Sequence, residues 1–161
     1  MRPEQINLLQ QNFASLEPQA EAVATVFYNR LFAMKPTLRL LFSADLTDQK
    51  KKLMTMLGLA VKSLDQLDAL VPVLENLGRR HALYGVRREH YDDVRASLLA
   101  TLRDALGREF TPDACNAWAD MYDFVSATMK RAADEIAADI EKSKIYFQET
   151  QKMPKKITVI G

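Results

Sequence analysis

The stretch that decides the fold is LGRRHALYGV, residues 77–86, which places His81 on the apolar face of a predicted helix. His81 is one of only two histidines in 161 residues. Helical spacing puts Leu70, Leu74 and Leu77 on the same face. A polar ring buried there without a partner costs about 1–3 kcal/mol, so some group must satisfy its nitrogens. From this helix alone, the simplest interpretation is a core histidine bonded to a backbone carbonyl.

The amino-acid composition limits the kinds of protein to which this chain can belong. A chain of 161 residues fits one domain, and 22 Lys and Arg against 21 Asp and Glu leave no basic field that would attract nucleic acid. The single cysteine, Cys115, excludes an intramolecular disulfide and suits a reducing compartment. No apolar run approaches the roughly 18–20 residues that cross a bilayer. We therefore expect a cytoplasmic protein that binds neither nucleic acid nor membranes.

The pattern of capping residues, glycines and prolines predicts an all-α fold. The helices are expected at residues 3–16, 18–34, 36–42, 48–63, 65–83, 89–106 and from 112 onward. Pro72 should start or kink its helix, and Gly85 and Gly107 should end theirs. Because residues 113–153 contain neither proline nor glycine, the last helix should continue well past Ala133. Residues 155–161 look strand-like but have no partner strand, which indicates a disordered or self-associating tail.

Polar residues also interrupt the apolar faces of three other predicted helices. Tyr28 lies on the stripe of the second helix, Gln49 heads the stripe of the helix that begins near residue 48, and Tyr91 lies on the stripe of the helix that follows His81. Taken singly, a tyrosine in a core or a glutamine at a helix start is most often structural. Their order along the chain is more informative.

Together these segments resemble the single-domain bacterial globins of the flavohaemoglobin lineage. The segments that carry the resemblance are FYNRLF at 27–32, LF at 41–42, DQKKKLM at 48–54, residues 77–86 and HY at 90–91. The chain is most similar to the Hell's Gate type of methanotrophs and more distantly similar to neuroglobin. The resemblance covers about residues 5 to 131.

The resemblance implies a three-over-three globin fold in residues 1–133, with residues 134–161 forming a helix extension and a basic tail. It also implies haem b between the helices of Gln49 and His81. His81 would be the iron ligand through one ring nitrogen, while the other nitrogen donates to a carbonyl. His90 points about 100° off the apolar stripe of its helix, so we expect a solvated or capping role for it instead.

Further residues are expected around the cofactor. Phe42 would wedge against the porphyrin, and Lys52 would either reach a propionate or remain a solvated lysine. Tyr91 matches the proximal tyrosine of flavohaemoglobins. The apolar residues expected to form the haem walls are Leu53, Leu57, Leu77, Val86, Val94 and Phe124.

The distal pair implied by the resemblance is Tyr28 with Gln49. Two hydrogen-bond donors aimed at a bound diatomic gas predict high affinity for dioxygen and slow release. The same pair resembles the site at which flavohaemoglobins convert nitric oxide to nitrate. Two features differ: no FAD- or NAD-binding segment follows, so an external reductase is expected, and the proximal glutamate of flavohaemoglobins aligns with Ala133, with Asp134 next to it.

Two other interpretations stay open from the sequence. The extension at residues 134–161 is compatible with a haem-based gas or redox sensor that signals through it, in a monomer or a weak homodimer. A haem-free helical adaptor on the same fold is the third interpretation.

Overall fold

The structure, a computed structural model, describes residues 1–151, which form six α-helices and contain no strand. The helices are α1 Pro3–Leu16, α2 Ala20–Met34, α3 Thr47–Lys62, α4 Leu67–Leu83, α5 Arg88–Leu106 and α6 Pro112–Gln151. Short 3₁₀ turns occupy Glu17–Gln19, Pro36–Leu41 and Gly107–Glu109. The strand-like segment 155–161 lies outside the described residues.

The helices pack in two layers of three. One layer contains α1, α3 and α4, and the other contains α2, α5 and α6. Contacts between the layers are made by α4 with α6, by α1 with α6 and by α3 with α2. This arrangement confirms the predicted all-α, three-over-three fold. None of the helices in residues 1–151 combines the length and the apolar character needed to cross a bilayer.

Helix boundaries follow the local signals closely, with three differences. The short helix expected at residues 36–42 is a 3₁₀ turn at Pro36–Leu41. Helix α2 begins at Ala20 rather than at Pro18, because Pro18 lies in the preceding 3₁₀ turn. Helix α4 begins at Leu67 and continues through Pro72. Pro72 is the sixth residue of α4 and removes one intrahelical hydrogen bond, a loss that the packing of α4 on α6 outweighs. The predicted helix end at Gly85 is confirmed. Its backbone φ is 96°, a value that residues with a Cβ rarely adopt.

The core between the layers is apolar, and its main polar groups are paired. Trp118 is fully buried, and its Nε1 donates to Asn12 Oδ1 at 3.0 Å. The Ser97 hydroxyl donates to the Phe27 carbonyl at 2.8 Å, which links α5 to α2. Because a buried unpaired polar group costs about 1–3 kcal/mol, these bonds fix how the helices face one another.

Helices α4 and α6 approach each other closely at Gly78. A Cβ at this position would stand 2.3 Å from the carbonyl oxygen of Met129 and 2.6 Å from its Cα. Backbone atoms, unlike the end of a flexible side chain, have no room to move away. Gly78 is therefore required by the contact between the two helices.

We expect Gly78→Ala to destabilise the protein by about 1–3 kcal/mol, because the added methyl group overlaps the α6 backbone. The sign of this stability change is informative, because replacing glycine by alanine inside an unhindered helix stabilises the protein by up to about 1 kcal/mol. The free energy of unfolding in urea, followed by circular dichroism, measures the change. Asn76→Ala, at an exposed position of the same helix, is the matched control and should stay within about 0.5 kcal/mol of wild type. Equal stability of the two variants would contradict the argument.

Candidate functional site

A cavity of about 170 Å³ opens between the two layers, next to the contact of α4 with α6. Its walls are mostly apolar side chains of α3, α4, α5 and α6. The lining residues are Phe27, Leu53, Met56, Leu57, Ala60, Leu74, Leu77, His81, Val86, His90, Tyr91, Val94, Leu98, Met121, Tyr122, Val125, Ser126 and Met129. An apolar cavity with a few polar groups at its wall is typical of a site for a small molecule or cofactor.

Seven of the residues predicted to contact haem or its iron meet at this cavity. They are Leu53, Leu57, Leu77, His81, Val86, Tyr91 and Val94. They come from three helices and one connecting loop, so the tertiary structure brings together positions up to 41 residues apart (94 − 53).

His81 is the central polar group of the cavity wall. Its Nδ1 lies 2.8 Å from the carbonyl oxygen of Leu77, one turn earlier on α4. A carbonyl only accepts hydrogen bonds, so Nδ1 carries the proton and Nε2 carries the lone pair. Burial lowers the pKa of His81, and the charge of Arg80 acts in the same direction, whereas the bond to Leu77 opposes them. The ring is therefore neutral at neutral pH, and the predicted bond to a carbonyl is confirmed.

His90 also reaches the cavity, but its Nδ1 is occupied. The backbone N–H of Arg87 donates to this nitrogen at 2.9 Å and so caps the start of α5. The predicted capping role of His90 is confirmed, and in the neutral ring the proton lies on Nε2. Of the two histidines, His81 is thus the one whose hydrogen bond leaves a lone pair on Nε2.

Tyr28 and Gln49 form a direct pair beside the cavity, although neither is one of its lining residues. Gln49 Nε2 donates to the Tyr28 hydroxyl at 3.0 Å, which connects α3 to α2. The phenol is only 3% exposed, and burial raises its pKa, so it keeps its proton at neutral pH. Because its oxygen accepts from Gln49, the phenolic proton remains available to donate to another group.

The remaining predicted residues lie outside the cavity lining. Phe42 is half-buried, and its ring contacts Tyr28 and Phe32 with centroids 5.6 and 5.4 Å apart. Lys52 is exposed on α3. Phe124 packs on the small cluster formed by α4, α5 and α6. Phe42 and Phe124 contact other side chains of the core, and the exposure of Lys52 agrees with either of its two predicted roles.

Several lining residues were not singled out from the sequence. Met121, Val125 and Met129 line one face of α6 at a spacing of four residues. This spacing is the signal that could have found them, but the same stripe is typical of an ordinary core helix. Tyr122 donates to the Tyr91 carbonyl at 2.6 Å and so joins α6 to α5 at the cavity wall.

The Tyr91 hydroxyl is a buried polar group without a hydrogen-bond partner in residues 1–151. Burial raises the pKa of Tyr91, and the negative charge of Asp134 raises it further. The Asp134 carboxylate itself is paired with Arg88 on α5. Tyr91 thus presents an unsatisfied O–H in the wall that it shares with His81, which indicates that the cavity is built for an occupant.

Comparisons with known proteins agree with this architecture. The globin family model matches residues 25–129. The chain is 32% identical to a flavohemoprotein of Bacillus subtilis over 126 residues, which are 75% of this chain and 31% of that protein. It is 30% identical to a neuroglobin of Dissostichus mawsoni over 138 residues, covering 77% of this chain and 87% of that one. The chain thus spans about a third of the length of the flavohemoproteins that it matches.

The fold also matches a solved structure. A bacterial globin from Campylobacter jejuni superposes with a TM-score of 0.77 at 21% sequence identity, over 85% of this chain and 99% of that chain. With a family model that spans most of α2 through α6 and a fold shared over nearly the whole of a bacterial globin, this chain belongs to the globin family.

Proposed function

We propose that the cavity binds haem b, with His81 Nε2 as the protein ligand of the iron. The hydrogen bond from Nδ1 to the Leu77 carbonyl is the observation that carries this proposal, because it fixes the tautomer that a metal needs. Burial keeps the ring neutral, so a metal would not compete with a proton at neutral pH.

The lining fits a flat and largely apolar cofactor. Leu53 and Leu57 on α3 face the same cavity as Leu77 on α4, so apolar side chains stand on both sides of it. Burial of apolar surface would supply most of the binding free energy. The unsatisfied Tyr91 hydroxyl and the neutral His81 ring are the polar groups that such an occupant would engage.

When bound, the haem supplies an iron atom that coordinates a diatomic gas and can change its oxidation state. Tyr28 and Gln49 then determine the polarity of the space on the α3 side. The Gln49 amide donates to the phenol oxygen, so the phenolic proton would be free to donate to a bound gas. We propose that this donor gives high affinity for dioxygen and slow release, in an oxygen-binding, transport or storage role.

The flavohemoprotein relatives support a second proposal, scavenging of nitric oxide. Nitric oxide and dioxygen combine with one electron to give nitrate, so continuous turnover needs an electron donor. We propose that a separate reductase supplies this electron. The Tyr28 hydroxyl would favour the reaction by holding dioxygen in place while nitric oxide enters.

His81→Ala should raise the rate of haem loss at least about 100-fold and shift the visible absorption bands, because the Nε2 ligand is removed. Haem transfer to an excess of another haem-binding protein measures the rate. His90→Ala is the matched control and should keep the wild-type bands. Added imidazole should restore the bands in His81→Ala. If His90→Ala loses haem instead, the assignment of the ligand is wrong.

Tyr28→Phe should speed dioxygen dissociation by about tenfold, the equivalent of one hydrogen bond in a dry pocket. Stopped-flow displacement of dioxygen by carbon monoxide gives the rate. Tyr84→Phe makes the same chemical change at a tyrosine that is 70% exposed, so it should leave the rate unaltered. An unchanged rate in Tyr28→Phe would rule out the phenol as the donor.

The ferrous protein in aerated buffer should convert nitric oxide to nitrate with one nitrate formed per haem in a single turnover. Sustained consumption should require an added electron donor, such as a generic reductase with its nicotinamide cofactor. Tyr28→Phe should lower the yield, while Tyr84→Phe should not. Absence of nitrate in the first turnover would contradict scavenging and leave oxygen binding as the role.

A further inference from the structure

Charged side chains are distributed unevenly over the molecule. Residues 35–52 and 79–90 together carry nine lysines and arginines against three acids, a charge of +6. The rest of the described chain, residues 1–34, 53–78 and 91–151, carries ten against eighteen, a charge of −8. Two short segments therefore concentrate positive charge on a molecule that is otherwise acidic.

These two segments meet beside the cavity. The first contains the turn Pro36–Leu41 and the start of α3, and the second contains the end of α4 and the start of α5. A Cβ at Gly85 would stand 3.6 Å from the Leu41 side chain, so the two segments lie against each other. The second segment also contributes His81 to the cavity wall. We call residues 35–52 and 79–90 together the basic surface.

Most of the positive charge on the basic surface is not neutralised by the protein itself. Lys35, Arg87 and Arg88 are paired with acids. Arg39 donates to the backbone carbonyls of residues 43 and 44. Five cations remain that take part in no ion pair within residues 1–151, namely Lys50, Lys51, Lys52, Arg79 and Arg80. Such an excess of one sign attracts a partner of the opposite sign.

Two large apolar side chains stand exposed within the basic surface. Leu40 is 86% exposed and Tyr84 is 70% exposed. They directly precede Leu41 and Gly85, the residues at which the two segments lie against each other. Exposed apolar side chains surrounded by polar and charged residues are typical of a surface that binds another protein. The charge of the basic surface requires that this protein be acidic where it binds.

We propose that the basic surface is the docking site of an electron-donating protein with an acidic surface, which covers Leu40 and Tyr84. This inference rests on the proposed function, because sustained turnover needs a donor that reaches the cavity. One electron leaves the donor and reduces the ferric iron to ferrous. Attraction between opposite charges speeds the encounter and orients the donor toward the cavity wall.

Reduction of the ferric holoprotein by a photoreduced flavodoxin, a small acidic flavoprotein, tests the proposal. Stopped-flow absorbance of the haem bands gives the second-order rate constant. This constant should fall at least about tenfold between about 20 mM and about 500 mM NaCl, because salt screens the attraction. Reduced lumiflavin, a flavin without a protein surface, is the matched control donor, and its rate should change less than about twofold. A flavodoxin rate that does not depend on salt would overturn the proposal.

Charge reversal locates the attraction on the molecule. At about 100 mM salt, Lys50→Glu/Lys51→Glu on the basic surface should lower the flavodoxin rate at least about fivefold. Lys142→Glu/Lys144→Glu makes the same change of charge on the exposed part of α6 and should lower the rate less than about twofold. Both variants should keep the wild-type lumiflavin rate and circular dichroism. Equal effects of the two variants on the flavodoxin rate would contradict a local docking site.

The apolar part of the contact is tested separately with Leu40→Ser. This variant should lower the flavodoxin rate about threefold or more and leave its salt dependence unchanged, because contact area is lost but no charge. Val26→Ser, at an apolar residue of α2 that is 41% exposed, is the matched control and should keep the wild-type rate. A wild-type rate in Leu40→Ser would contradict the proposed position of the donor.

The two donors separate failure of this inference from failure of the proposed function. A protein without haem bands, or one whose iron lumiflavin does not reduce, would refute the proposed function and this inference with it. Normal reduction by lumiflavin, together with a flavodoxin rate that ignores salt, would refute the docking site alone. In that second case, sedimentation with phosphatidylserine vesicles that is lost in Lys50→Glu/Lys51→Glu would show that the basic surface binds anionic lipid instead.

Discussion

The close contact of Gly78 on α4 with the backbone of Met129 on α6 is the constraint on which the rest of the structure depends. The space left by the missing side chain is so small that a Cβ would overlap the Met129 carbonyl. This contact fixes the position of α4 along the axis of α6. His81 follows Gly78 by three residues and therefore faces the cavity beside the contact. The geometry of the site is thus a consequence of how two helices touch.

Burial then decides where the protons lie. The same exclusion of water that stabilises the core disfavours a charged His81 ring and an ionised Tyr28 phenol. One hydrogen bond completes each arrangement: the Leu77 carbonyl fixes the proton of His81 on Nδ1, and the Gln49 amide occupies the oxygen of Tyr28. The α4 wall of the cavity consequently contains a neutral imidazole with a lone pair on Nε2, and the Tyr28–Gln49 pair, outside the lining, keeps a phenolic proton that it can donate.

Helix boundaries were predictable because their causes are local, whereas the role of each buried side chain was not. Gly85 ends α4 as predicted, since its backbone conformation is favourable for glycine alone. Pro72 does not start α4, which begins at Leu67 and continues through it, because packing of that helix on α6 outweighs one lost hydrogen bond. Met129 belongs to an apolar stripe of α6 that looks like that of any core helix. Part of this stripe lines a cavity because α6 stands apart from α3 there.

The sequence by itself determined the order of the six α-helices, the apolar faces that carry His81 and Tyr28, and the continuation of the last helix past Ala133. Periodicity and end signals act within a few residues, so these features can be read along the chain. The tertiary structure alone decided that Gln49 bonds to Tyr28, that Phe42 stays outside the cavity lining, and that the Tyr91 hydroxyl has no hydrogen-bond partner within residues 1–151. Those outcomes depend on distances between helices remote in sequence, which the packing of whole faces sets and which no local pattern encodes.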